Sequence, residues 1–271
     1  MNRILIICVI WCITNSASCQ VETAIDWNNI GLKAYNSQKL EKSIEAYSKA
    51  IQIDSLLLSA YNNRGVSFIQ RNEPEKAIID FTYCIQKDST DANAYFNRAK
   101  AFCQLKDYKQ AVIDYERLLE LEPDNPYTIL HLGLCYESQK SFKKALATYN
   151  QAISNDKLFA PAYLYRGNLY LSKNKTEEAV KDFYKVTKLD SNSIDGYYGL
   201  GIAKMKSGNY SGAKKALSKV IEKDPNHKEA YYKRGVAYYD GGSKSKACMD
   251  FDKAMQLGHE LAEPTLTKYC Q

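Results

Sequence analysis

The side chains best suited to proton transfer near neutral pH are His131, His227 and His259, and they lie far apart in the chain. None has a second His or a Cys at the short spacing that presents two ligands to one zinc ion. There is no C-x-x-C pair, no G-x-S-x-G nucleophile turn and no glycine-rich phosphate loop. Carboxylates occur along the whole sequence, so two of them close together signal no acid–base pair. These residues predict no catalytic centre, no metal and no cofactor, and His131 reads as a polar lining residue rather than a base. One spacing does carry chemistry. Arg64, Arg98, Arg166 and Arg234 are followed at constant separation by Asp80, Asp114, Asp182 and Asp250, the types that form two-toothed guanidinium–carboxylate bridges.

The elements that must position those pairs repeat every 34 residues without insertion or deletion. Tyr61, Tyr95, Tyr163, Tyr197 and Tyr231 mark one point of the period, with Trp27 and Ile129 at the equivalent places. Four residues on come Gly31, Gly65, Ala99, Gly133, Gly167, Gly201 and Gly235. Further along, six repeats carry Ala77, Ala111, Ala145, Ala179, Ala213 and Ala247, and the first carries Ser43. Fixed self-similarity of this length means stacked structural units. Each reads as two helices. In the third, 93–105 and 108–121 both show apolar residues at helical spacing, split by Lys106-Asp107. The small residues let the paired helices approach. The prolines fall at helix starts or in turns, never in a helix interior.

Where Arg is absent at the seventh position, Ile30, Leu132 and Leu200 replace it, and Ala46, Thr148 and Ala216 stand where Asp would be. Charge goes with charge and apolar with small. This match holds within a repeat and fails between neighbours, so it predicts a bridge between the two helices of one repeat.

The quoted residues resemble the tetratricopeptide repeat family over 24–261, as seven gapless repeats: 24–57, 58–91, 92–125, 126–159, 160–193, 194–227 and 228–261. The resemblance implies an all-α fold, a right-handed α-solenoid (superhelix) of seven helix-turn-helix repeats with a short C-terminal helical tail. It also implies a non-enzymatic protein-binding role. In that family the first helices line a concave groove through positions 2, 5, 9, 12 and 13. Carried over, the early groove is polar, with Asn28, Asn36, Asn62, Gln70, Asn93 and Gln104, interrupted by Leu32, Tyr35, Val66 and Phe96. The later groove is more apolar: Tyr127, Leu130, Leu134, Leu164, Leu171, Tyr198, Ile202, Met205, Tyr232, Val236 and Tyr239. Half of the 22 tyrosines fall on the repeat's own core positions. Tyr127, Tyr198, Tyr232 and Tyr239 do not, and they suit capture of an extended peptide or amphipathic helix. The competing reading is that they pack between adjacent first helices. One subgroup of the family clamps the carboxylate end of chaperone tails. Asn63 and Asn97 match its asparagines, but its basic partners are missing, so that clamp is not expected.

The ends add two expectations. Residues 1–19 resemble a secretory signal peptide: Met1-Asn2-Arg3, then an apolar run from Ile4 to Ile13 too short to span a membrane, then Ser16-Ala17-Ser18-Cys19. Cys19 is a candidate lipidation site of bacterial lipoprotein type. However, Ser16 stands where an aliphatic residue is usual, and ordinary cleavage after Ser18 or Cys19 fits as well. The expected location is therefore the periplasm or an outer-membrane anchor, or otherwise secretion, with any membrane contact made only through such an anchor. At the other end, the tail 262–271 is short for a cap, and Leu266 and Tyr269 cover part of the last repeat. An end capped in part suggests self-association end to end, or fraying.

Net charge is +6, divided as −2 over 24–125 and +8 from Pro126 onward. The lysines lie mainly on second helices and turns, which reads as a solvated face without the dense clusters or reading element of a nucleic-acid binder. Five cysteines follow the signal region, an odd number that argues against a disulfide framework. Cys248 and Cys270 meet only if the tail folds back as an antiparallel helix.

Overall fold

The computed structural model describes residues 22–270. The chain divides into two compact units, Met1–Asp107 and Tyr108–Gln271. The first holds α1 (Ala24–Asn36), α2 (Leu40–Ile53), α3 (Leu58–Gln70), α4 (Pro74–Lys87) and α5 (Ala92–Gln104). The second holds α6 (Tyr108–Leu121), α7 (Pro126–Ser138), α8 (Phe142–Asn155), α9 (Ala160–Ser172) and α10 (Thr176–Leu189). It continues with α11 (Ile194–Lys206), α12 (Tyr210–Lys223), α13 (Lys228–Asp240), α14 (Lys244–Gln256) and α15 (Ala262–Cys270). No strand occurs among the described residues. Within each unit, successive helices pack as pairs and each pair packs on the next.

The pairing follows from residue size. A Cβ on Gly31 would lie 2.5 Å from Tyr47 Cε1, and one on Gly133 would lie 2.5 Å from Tyr149 Cε1. The first helix presents a flat notch and the second lays a fully buried ring across it. Ala77, Ala145, Ala179, Ala213 and Ala247 are all fully buried on the second helices, as close approach requires.

The turn inside each repeat has one recurring backbone feature that the sequence alone does not display. Gln38, Asn72, Lys106, Lys140, Asn174, Gly208 and Gly242 all adopt a left-handed conformation, with φ from 57° to 79°. Each follows the end of a first helix as the bend of a Schellman turn. In the first repeat, the Gln38 amide donates to the Tyr35 carbonyl at 2.9 Å and the Lys39 amide to the Ala34 carbonyl at 2.9 Å. Turns between repeats use aspartate instead. Asp54, Asp88, Asp156, Asp190 and Asp224 each accept from the amide two residues on, at 2.8 to 3.0 Å.

The Arg–Asp expectation is met in three repeats. Arg64, Arg166 and Arg234 each donate Nε to one Asp oxygen at 2.8 Å and Nη2 to the other at 2.7 Å, on Asp80, Asp182 and Asp250. The fourth pair, Arg98 and Asp114, has one member in each compact unit. The guanidinium also does something the pairing did not predict. Its Nη1 reaches back to the preceding repeat, to Ser48, Thr82, Asn150 and Ser218 from Arg64, Arg98, Arg166 and Arg234. Each arginine carbon also lies between two rings, at 5.5 to 6.0 Å from their centroids; for Arg166 these are Tyr163 and Tyr170.

The tail forms the short C-terminal helix expected of it. Ala262–Cys270 forms a helix packed on α14. Tyr269 lies 4.6 Å from Tyr239, Thr265 Oγ1 lies 3.2 Å from the Tyr232 hydroxyl, and Cys270 is disulfide-bonded to Cys248. It covers the last repeat in part: Tyr239, Met249 and Leu261 remain exposed. Cys84, Cys103 and Cys135 remain thiols. Cys84 is fully buried, and that burial pushes its thiol up to about 12.

Candidate partner-binding surface

The first helices carry every residue of the candidate groove, so its chemistry depends on what those helices leave uncovered. In the first unit three of the polar groove positions, Asn28, Asn62 and Gln104, bond to polar side chains outside the groove set. Asn62 Nδ2 donates to Asp91 at 2.9 Å, Asn63 Nδ2 to Asn28 at 3.1 Å, and Gln104 Nε2 to Asn72 at 2.7 Å. The last two bonds join consecutive repeats, and all three fix the amide side chains. Leu32 stands 45% exposed beside them.

In the second unit the eleven later-groove residues fall into three groups, with Val236 among the half-buried ones. Tyr127 is exposed at 59% and Tyr239 at 39%. Leu134, Leu164, Leu171, Tyr198, Ile202, Met205 and Tyr232 are half-buried, and Leu130 is buried. Leu164 and Leu171 pack on the cluster around Phe183 and Leu200. Tyr198 and Met205 pack on Leu217, Val220 and Ala230.

The tyrosines are also held by rings in the turn that leads into the next helix pair or the tail helix. Tyr127 meets Phe159 edge-on at 5.0 Å, Tyr198 stacks on His227 at 5.3 Å, and Tyr232 stacks on His259 at 4.1 Å. Burial raises the Tyr198 phenol above its ordinary value. Each ring thus serves two purposes: one part seals the joint between first helices and the remainder faces outward. The arrangement offers fixed apolar contact area edged with hydroxyls, which suits recognition of a peptide or protein surface.

The histidines belong to these joints. His131 stacks on Tyr115 at 5.8 Å, His227 Nδ1 accepts from the Ala230 amide at 3.2 Å, and His259 Nδ1 accepts from the Leu261 amide at 3.2 Å. Among the described residues no group of His, Cys, Asp and Glu could hold a metal ion, and no helix is long and apolar enough to cross a membrane. Cys19 and the segment 1–19 lie outside the described residues.

Sequence reasoning missed the reach-back bonds of the arginines, although a signal was present. Ser48, Thr82, Asn150 and Ser218 precede the repeats that carry Arg, whereas Glu116 and Tyr184 take that place before Leu132 and Leu200.

Family models of the tetratricopeptide repeat match residues 27–55, 92–125, 127–157 and 198–257, and a model of the TPR repeat matches 167–208. No curated protein sequence matches the chain. Among solved structures, a tetratricopeptide repeat protein from Parabacteroides merdae is 17% identical, with a TM-score of 0.67, over 92% of this chain and 99% of its own. YrrB, described as a TPR protein with an unusual peptide-binding site, is 23% identical, with a TM-score of 0.58, over 69% of this chain and 97% of its own. Yeast Tom70 is 18% identical, with a TM-score of 0.61, over 92% of this chain and 53% of its own. The gapless period, the ring-over-glycine pairing and these matches together establish that the chain belongs to the tetratricopeptide repeat family.

Proposed function

We propose that this protein is an exported, non-enzymatic adaptor that binds a protein or peptide partner across the first-helix surface of its second unit and acts in cell-envelope assembly. The carrying observation is the row of tyrosines and aliphatic residues from Tyr127 to Tyr239, its tyrosines anchored by rings in the turns that follow yet left part-open. Side chains already fixed lose little freedom when a partner arrives, so the array is suited to binding. The peptide-binding site named for YrrB supports the same reading by analogy.

Export rests on the signal-like sequence of 1–19. The Cys248–Cys270 disulfide supports it, since such bonds persist in oxidising compartments. A lipid at Cys19 would tether the adaptor to a membrane, where it would serve an enzyme of wall or polysaccharide metabolism. Mass analysis of the mature N-terminus decides between an acylated Cys19 and ordinary cleavage.

The binding surface is tested by placing a photo-crosslinking residue at Tyr127, the most open of the tyrosines, and recovering the adduct from native envelope. A discrete protein adduct is expected, absent when the crosslinker replaces Tyr184 on a second helix. Equal adducts from both positions would remove the first-helix assignment. End-to-end self-association is the alternative. A monomer at all concentrations in light scattering would exclude it.

A further inference from the structure

Repeats two, five and seven fill the space between consecutive helix pairs with the same three parts: an arginine, an aspartate and a ring on the first helix four residues after the arginine. In repeat five these are Arg166, Asp182 and Tyr170. The sixth repeat has replaced all three. Leu200 stands for the arginine, Ala216 for the aspartate and Lys204 for the ring. Repeat four makes the first two replacements, with Leu132 and Thr148, but keeps Tyr136. That ring is buried, and its hydroxyl donates to Glu116 at 2.6 Å. In the sixth repeat nothing fills the space, and a cavity of about 580 Å³ opens between α10, α11, α12 and α13.

We infer that this cavity is a binding site for a small organic anion with an apolar body. The floor is Leu200 and Ala216, and the walls are the rings of Tyr184, Tyr197 and Tyr238. The rim carries Lys188, Lys204, Lys214, Lys215 and Lys219, and no carboxylate lines the space. Among the described residues, only Lys219 of these five pairs with a carboxylate, Glu222 at 2.7 Å. Lys188 and Lys214 instead lie over wall rings, 5.2 Å from the Tyr184 centroid and 5.1 Å from that of Tyr238. The volume is that of a small-ligand site, and one side lies open to water. An apolar floor selects a hydrocarbon or aromatic body. A ring of ammonium groups at its mouth selects a carboxylate, sulfonate or phosphate attached to that body. This site uses none of the proposed groove residues, so it stands or falls independently of the adaptor reading.

The test uses the full chain and isothermal titration with 2-naphthoate, with 2-naphthalenemethanol as the uncharged counterpart. Saturable single-site binding of the carboxylate is expected, about tenfold or more tighter than the alcohol, the summed effect of two or more exposed charge contacts. High salt should weaken it, because the lysines face water. Replacing Lys188 and Lys215 by Gln changes only exposed side chains and should weaken naphthoate about tenfold while leaving the alcohol unchanged.

The combined substitution Leu200→Arg, Lys204→Tyr and Ala216→Asp rebuilds the bridge of the other repeats and should abolish binding with helicity retained. If that variant does not fold, Lys204→Tyr alone supplies the missing ring and should give the same loss. An absence of saturable binding overturns the proposal. So does equal affinity for acid and alcohol, or naphthoate binding that survives in a folded, filled variant.

Discussion

Each Arg–Asp bridge joins two helices in one repeat and, through Nη1, the repeat before. Asp182 is 6% exposed and Arg166 is 18% exposed, so neither charge is well hydrated when the other is removed. Arg166→Leu alone is expected to cost about 3–5 kcal/mol, the penalty of a buried unpaired charge. Arg166→Leu with Asp182→Ala copies Leu200 and Ala216 of the sixth repeat and should cost markedly less. Urea unfolding of the two single variants and the double variant measures this coupling, and additive losses would show that the bridge contributes nothing as a pair.

His259 gives the one expected dependence on pH near neutrality. Burial holds its pKa below 6.5, with Lys228 and Lys233 adding to that effect and Glu229 and Glu260 opposing it. A depressed histidine favours the fold above the unfolded value and loses that contribution as pH falls through 6.5 toward the folded value. Protonation also removes the Nδ1 lone pair that accepts from the Leu261 amide. Hydrogen exchange in α15, corrected for intrinsic rate, should therefore show weaker protection in mild acid. His259→Asn should flatten that dependence.

At the scale of the helix and its turn, seven bends adopt a left-handed backbone but only two, Gly208 and Gly242, are glycine. Asn72 and Asn174 tolerate it, whereas Gln38, Lys106 and Lys140 hold it against the steric preference of an L side chain. Lys140→Gly is expected to raise stability by up to about 1 kcal/mol, and Gly208→Lys to lower it by a similar amount. Thermal unfolding of both variants checks the sign. No effect at Lys140 would mean the helix pair imposes the bend without measurable strain. The sequence marks this bend poorly, because a Schellman turn is set by two backbone hydrogen bonds that most residues can make. The helices themselves are legible: their apolar residues recur on one face and their small residues face rings at fixed separation.

For the whole chain, the decisive closure is at the C-terminus. The Cys248–Cys270 bond spans a sequence separation of 22 and fastens α15 over Tyr232 and Tyr239. In the chain-entropy account a loop of that size is worth roughly 3 kcal/mol, confined here to the last repeat because repeats stabilise mainly their neighbours. Cys270→Ser should expose Tyr269 to early proteolysis and lower the first unfolding transition while leaving the first unit's melting unchanged. Release of α15 should also uncover the last repeat's rings and promote association.

The sequence by itself determined the family, the helix pairs and the Arg–Asp bridges inside a repeat, because those contacts lie within a few tens of residues and recur from repeat to repeat. It also carried the candidate groove positions, through the family resemblance. It did not reveal how far each groove side chain is covered, since Leu130 and Tyr127 are alike as apolar residues but differ in what the adjoining helices place over them. The tertiary structure alone decided that the tail folds back as a helix and joins Cys270 to Cys248. It also decided that three unremarkable residues, Leu200, Lys204 and Ala216, together leave a cavity. Coverage and empty space depend on the summed volumes of side chains from several helices, and no single position or spacing records that sum.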